Sequence, residues 1–171
     1  PKGLDHILFI LGLFLLSTQF KPLFFQITSF TVAHTITLGL SMYGMIALPS
    51  FWVEPLIALS IVYIAAENIF IRQMSRWRLL VVFCFGLLHG LGFASVLSEI
   101  GLNQSQFLAS LLSFNLGVEL GQLVVILLAY ALIGYWFKDK PWYRSYIIIP
   151  ASTAIAFMGL YWLYERTAIL I

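Results

Sequence analysis

The chain contains three histidines, and each lies in or at the edge of a long apolar run. His6 follows Asp5 near the start of the first run. His34 sits in the phrase Thr31-Val32-Ala33-His34-Thr35 of the second. His89 sits in Gly86-Leu87-Leu88-His89-Gly90-Leu91-Gly92-Phe93 of the fourth. The fifth run carries Asn115, Glu119 and Gln122, whose spacings of four and three place them on one helical face. Glu67 and Asn68 end the third run. Imidazole and carboxylate together suit zinc, nickel, cobalt or iron, and the one cysteine, Cys84, supplies no thiolate cluster. Each residue also has a plain structural use. An intramembrane histidine can bond a neighbouring helix, Thr31 and Thr35 can bond their own backbone, Glu67-Asn68 can pair with Arg72, and Cys84 can act as a small buried hydrophobe.

The elements that must position these groups follow from composition. Of 171 residues, 61% are hydrophobic and 9% charged, against about 25% charged in soluble domains. Apolar stretches of about 18 residues or more recur, each long enough for a hydrocarbon core of about 30 Å. Six segments are expected, bounded near 4–20, 23–48, 51–71, 79–97, 107 to between 130 and 137, and 145–164. They form one transmembrane domain over residues 1–171, an all-α bundle of six helices. Strands are not expected, because the runs lack the alternation of a membrane barrel. Lys21-Pro22 and Pro49-Ser50 break the first three segments, with proline suited to a helix start. Gly101-Leu102-Asn103 reads as a polar turn and Ser105 as a cap for the fifth helix. Trp52, Trp77, Trp136 and Trp142 fall near segment ends, as interface anchors do.

Seven basic residues (Lys21, Arg72, Arg76, Arg78, Lys138, Lys140 and Arg144) fall in the first, third and fifth loops, against Lys2 and Arg166 on the other side. The positive-inside rule then places both termini outside the cytoplasm, a placement that requires an even number of spans, which six satisfies. The net charge of +2 gives no reason to expect a nucleic-acid partner; the expected partners are the lipid bilayer and a metal ion. The chain begins at Pro1 rather than methionine, so a leader or an extramembrane part is expected before it.

Ionisable groups at the bilayer centre cost at least about 2.5–3.5 kcal/mol each, so they need a partner or a task. Counting 1.5 Å per residue puts His34, His89 and Glu119 at similar depth, with Asp5 and His6 above them and Glu67 below. Gly86, Gly90 and Ala94 on the fourth segment, and Gly117 and Gly121 on the fifth, suggest that these two helices pack together.

Four phrases resemble the HupE/UreJ membrane proteins. Gly3-Leu4-Asp5-His6 is similar to that family's G-x-D-H segment. Phe30 to Leu38 is similar to its second-helix segment, and Gly86 to Ala94 and Phe114 to Gln122 to later ones. The resemblance is greatest to the branch whose membrane region follows an extracytoplasmic N-terminal part. The family is regarded as nickel or cobalt transporters associated with hydrogenases and ureases. The resemblance implies Asp5, His6, His34, His89 and Glu119 as metal ligands, with Thr31, Glu67, Asn68, Asn115 and Gln122 as supporting polar groups. The nickel-transporter form of the first motif has a histidine upstream of its glycine, a position that falls before Pro1. The expectation is a permease of the bacterial inner membrane for a divalent transition metal, nickel or cobalt in preference to zinc. The alternative is an intramembrane zinc hydrolase acting on a lipid or amide. A third class, haem held between histidines of two helices, has no further support in the residues.

Overall fold

A computed structural model describes residues 3–17, 19–100 and 107–168, the side chains of 95–100 and 107–108 excepted. The expected turn at 101–103 and the cap at Ser105 lie outside the described residues. Those residues form six helices: α1 (Leu4–Leu16), α2 (Phe20–Met42), α3 (Ser50–Phe70), α4 (Arg78–Ile100), α5 (Phe107–Ala129) and α6 (Ile149–Ala168). α5 continues through a π-helical turn, Tyr130–Gly134, into Tyr135–Phe137, and a second π-helical turn, Arg144–Ile148, leads into α6.

Four helical stretches are long and apolar enough to cross a membrane: Phe20–Met42, Ser50–Phe70, Ala109–Phe137 and Arg144–Ala168. α1 and the Arg78–Ala94 part of α4 are shorter apolar helices. The surface agrees with a bilayer setting. On α5 and its continuation, Leu112, Leu116, Leu120, Val124, Leu127 and Leu132 are exposed. Water does not tolerate a contiguous apolar face of that extent. The chain is a multi-pass membrane protein.

Several boundaries differ from expectation for local reasons. α1 ends at Leu16 and α2 starts at Phe20, so Pro22 sits in the first turn of α2, where a missing N–H removes no helical bond. α2 stops at Met42 rather than Leu48 because Gly44 turns the chain at φ 72°, a conformation that suits glycine. Pro49 caps α3 from outside, its carbonyl accepting from the amides of Trp52 and Val53. Arg78 is not a loop cation: it is buried in the first turn of α4. Cys84 faces outward rather than into the core.

Gly86 and Gly90 of α4 meet α2 rather than α5, while Ala94 joins a small cluster with Leu38 and Leu111. A Cβ on Gly86 would collide with the Phe30 carbonyl and Ala33 of α2, and one on Gly90 with Thr37 and the His34 carbonyl. α4 therefore lies backbone-to-backbone on α2, and Thr37 Oγ1 donates to the Leu87 carbonyl at 2.8 Å to fasten the pair. On α5, a Cβ added at Gly117 or Gly121 would meet nothing within 4 Å. α4 touches α5 through Phe93 and Phe114, ring centres 5.3 Å apart. α3 packs on α6, and α1 runs against α2, α3, α5 and α6. Its Gly12 carbonyl accepts from Asn68 Nδ2 at 2.8 Å, which ties α1 to α3. Phe9, Ile10, Leu13, Phe30, Ile61 and Ile64, all fully buried, make the centre of the core.

Candidate metal centre

The close contact of α4 with α2 fixes the distance between His34 and His89, because Gly90 rests on the His34 carbonyl. α1 then inserts His6 beside both. The His6 ring centre lies 5.3 Å from that of His34 and 4.8 Å from that of His89. Phe9, Phe30 and Phe93 wall the group, each with its ring centre 5.0–6.1 Å from a histidine ring. His6 thus packs directly against the other two histidines, about one helical turn away at most.

Hydrogen bonds orient the protons of the His34 and His89 rings. Asn115 Nδ2 donates to the Leu111 carbonyl at 2.8 Å, which turns Oδ1 toward His34 Nδ1, 2.9 Å away. An amide oxygen only accepts, so His34 Nδ1 is protonated. Ser60 gives its single proton to the Ile57 carbonyl at 2.7 Å, and its oxygen faces His89 Nε2 at 3.1 Å. With the hydroxyl proton so placed, His89 Nε2 is the nitrogen that donates to Ser60. In the neutral rings this leaves a bare lone pair on His34 Nε2 and on His89 Nδ1. Both atoms are buried and have no hydrogen-bond partner.

The profile of the family described as HupE / UreJ protein matches residues 1–166. The chain belongs to the HupE/UreJ family. No curated protein and no solved structure matches it.

The donors of this HupE/UreJ chain are of a chemistry that suits a metal, imidazole nitrogen in a buried setting. With metal–nitrogen bonds of about 2.0–2.1 Å and tetrahedral angles, two bound imidazoles have ring centres about 5 Å apart. The spacings at His6 match that scale, and two bare, buried nitrogens are the donors such an ion needs. Metal-bound histidine usually donates its other N–H to a fixed acceptor, as His34 and His89 both do. The side chains do not converge on a point as they stand: among the described residues no three His, Cys, Asp or Glu groups meet in a ligating arrangement.

The other expected residues lie around this cluster. Asp5 is buried and accepts from Arg166 Nη2 at 2.9 and 3.0 Å, while Arg166 Nη1 donates to the Glu54 carbonyl at 3.0 Å. A chamber of about 20 Å³ between this ion pair and the rings is lined by Asp5, His6, Ile57 and His89. It has room for about one water. His89 lies between the levels of Ile57 and Ser60, seven and ten residues into α3 from Ser50, so the rings lie about 10–15 Å below that end of the bundle.

Asn115, Glu119 and Gln122 do share a face, and it is spent on α2. Beside the Asn115–His34 bond, Thr28 Oγ1 donates to Glu119 at 2.9 Å and Thr31 Oγ1 to Gln122 Oε1 at 3.4 Å. Glu119 is half-buried in a groove between α2 and α5. Glu67 pairs with Arg78, not Arg72, at 2.8 Å, and Arg78 Nε donates to Gln26 Oε1 at 2.9 Å. This closes the basic end of the bundle beneath the rings.

Sequence reasoning misses Ser60, Arg78 and Arg166 as partners. A signal exists for Ser60: it precedes Glu67 by seven residues, two helical turns, and so shares its inward face.

Proposed function

We propose that this chain is a permease for a divalent transition-metal ion, with His6, His34 and His89 as its transit site. The observation that carries the reading is the pair of buried imidazole nitrogens, His34 Nε2 and His89 Nδ1, left bare beside His6. Leaving polar atoms unpaired in an apolar interior is costly, and a cation is the partner these lone pairs suit. Neutral imidazoles bind without building up a large negative charge, so an ion can be held and still leave. Imidazole suits nickel and zinc; nickel or cobalt is the family's association. The small chamber means that an ion arrives stripped of most of its water. Asp5 balances Arg166 at the entrance, so the approach is not left positively charged. Release requires the Glu67–Arg78–Gln26 closure to open. The basic loops favour a bacterial inner membrane with both termini on the periplasmic side.

Uptake of nickel and cobalt by cells expressing the chain tests this. His34→Ala and His89→Ala should each lower uptake at least tenfold at equal expression. Uptake equal to wild type in both would sink the proposal.

A second reading, a metal-dependent hydrolase for a lipid or amide, is favoured by an apolar cleft that reaches His6 from the side of α5. Retained stoichiometric zinc, with release of fatty acid from added lipid, would select it.

A further inference from the structure

At the basic end of the bundle a cavity of about 510 Å³ opens where α2 begins and the continuation of α5 ends. Its wall is apolar, with Phe14, Leu23 and Ile126 all buried. Two cations line it as well. Lys21 is the second residue of α2, and Lys138 follows Phe137 at the end of the α5 continuation. Among the described residues no Asp or Glu lines this cavity. Two ammonium groups thus sit at the edge of a hydrocarbon wall, at the helix ends where a membrane span meets its headgroups.

The way Lys138 points is informative. A lysine at the end of a membrane helix normally reaches out to water. Lys138 turns back along its helix instead. Its Nζ donates to Tyr130 Oη at 3.3 Å and lies 5.5 Å from the Tyr130 ring centre, and Tyr130 lines the same cavity. That bond uses one ammonium proton and leaves two for an oxygen ligand. The start of α2 adds to the field. Its first amides have no partner within the helix, and Gln19, its N-cap, makes no side-chain bond to them. A helix start of that kind favours an anion. The occupant should therefore bring a negative head with acceptor oxygens and, for the wall, a hydrocarbon. A soluble anion meets only the first demand. A zwitterionic lipid brings a cation of its own toward the two lysines.

We infer that this cavity binds an anionic phospholipid, its phosphate between Lys21 and Lys138 and one acyl chain along Phe14, Leu23 and Ile126. Basic pockets between membrane helices take such heads. The bound lipid ties the start of α2 to the end of α5. The site shares no residue with the histidine cluster, so it stands or falls apart from the metal reading.

The test titrates the full chain in detergent with phosphatidylglycerol and counts retained lipid by native mass spectrometry. One phosphatidylglycerol should be retained, and phosphatidylethanolamine should bind at least fivefold more weakly. Lys21→Gln and Lys138→Gln should each weaken phosphatidylglycerol about fivefold, the scale of one cation beside an anionic lipid, and the double variant about twentyfold. Lys21→Arg keeps the charge and should bind within twofold of wild type. Lys140→Gln removes a cation from the same end that does not line the cavity, and it too should stay within twofold. Equal retention in wild type and the double variant would overturn the site. An equal loss in Lys140→Gln would also overturn it, by reducing the effect to the general charge of that end. So would displacement of the lipid by millimolar glycerol phosphate, which would mark a site for a soluble anion. A disulfide between two copies of Gln19→Cys in a Cys84→Ala background would assign the cavity to a second copy of the chain and refute the lipid.

Discussion

Asn115→Leu should weaken metal binding without unfolding the bundle, because Asn115 decides which nitrogen of His34 is free. The residue is 3% exposed and its Oδ1 lies 2.9 Å from His34 Nδ1, so no solvent molecule stands ready to replace it. Losing one buried hydrogen bond costs about 0.5–1.5 kcal/mol. The larger effect is on the ring: with no acceptor at Nδ1, the proton can move to Nε2 and occupy the ligating position. Loss of such outer partners typically lowers metal affinity about 10–100-fold, or about 1.4–2.8 kcal/mol. Asn115→Asp is the control, since a carboxylate still accepts from Nδ1. Cobalt titration in nanodiscs, followed by visible absorption, should show the leucine variant weakened by that factor and the aspartate variant within a few-fold of wild type. Equal loss in both variants would reduce Asn115 to a packing role. Undiminished binding in Asn115→Leu would refute the tautomer argument altogether.

Three further outcomes follow from the same geometry. Arg78→Met strands the buried Glu67 carboxylate and should cost about 3–5 kcal/mol, read as a lower melting temperature in detergent; Glu67→Leu/Arg78→Met should recover much of it. Gly90→Ala forces a Cβ against Thr37 and the His34 carbonyl and should cost about 1–3 kcal/mol, whereas Gly117→Ala should leave thermal stability unchanged. Cobalt affinity should fall as the medium is acidified, because only neutral imidazole ligates and binding must then displace protons; pH-independent affinity would remove the histidines from the site.

Much of the site is legible in the residue order. Counting rise along each helix sets His34 and His89 at a common depth, and the spacing of Asn115 and Gln122 places both on one face of α5. Rise alone does not say that the His6 ring turns in beside the other two, 5.3 and 4.8 Å from their centres. Small residues announce a close helix contact but not its partner. Gly86 and Gly90 therefore tell of a tight interface without saying that it is with α2. Arg78 reads as a loop cation because a charge at the edge of an apolar run is normally solvated. Only the fold shows Glu67 and Gln26 waiting for it. Ser60 looks inert, since a lone hydroxyl in an apolar helix can satisfy itself on its own backbone, and it does so while also serving His89.

The depth of the histidine cluster has an electrical consequence. The rings lie about 10–15 Å below one end of a barrier about 30 Å thick, so an ion reaching them from that side has crossed about a third to a half of the membrane voltage. Moving one charge through the full potential is worth about 2.3 kcal/mol per 100 mV. A divalent ion at the rings would therefore gain or lose about 1.5–2.3 kcal/mol per 100 mV, about a ten- to fiftyfold change in occupancy. Loading of this site would be set by membrane polarisation as much as by the concentration of the ion.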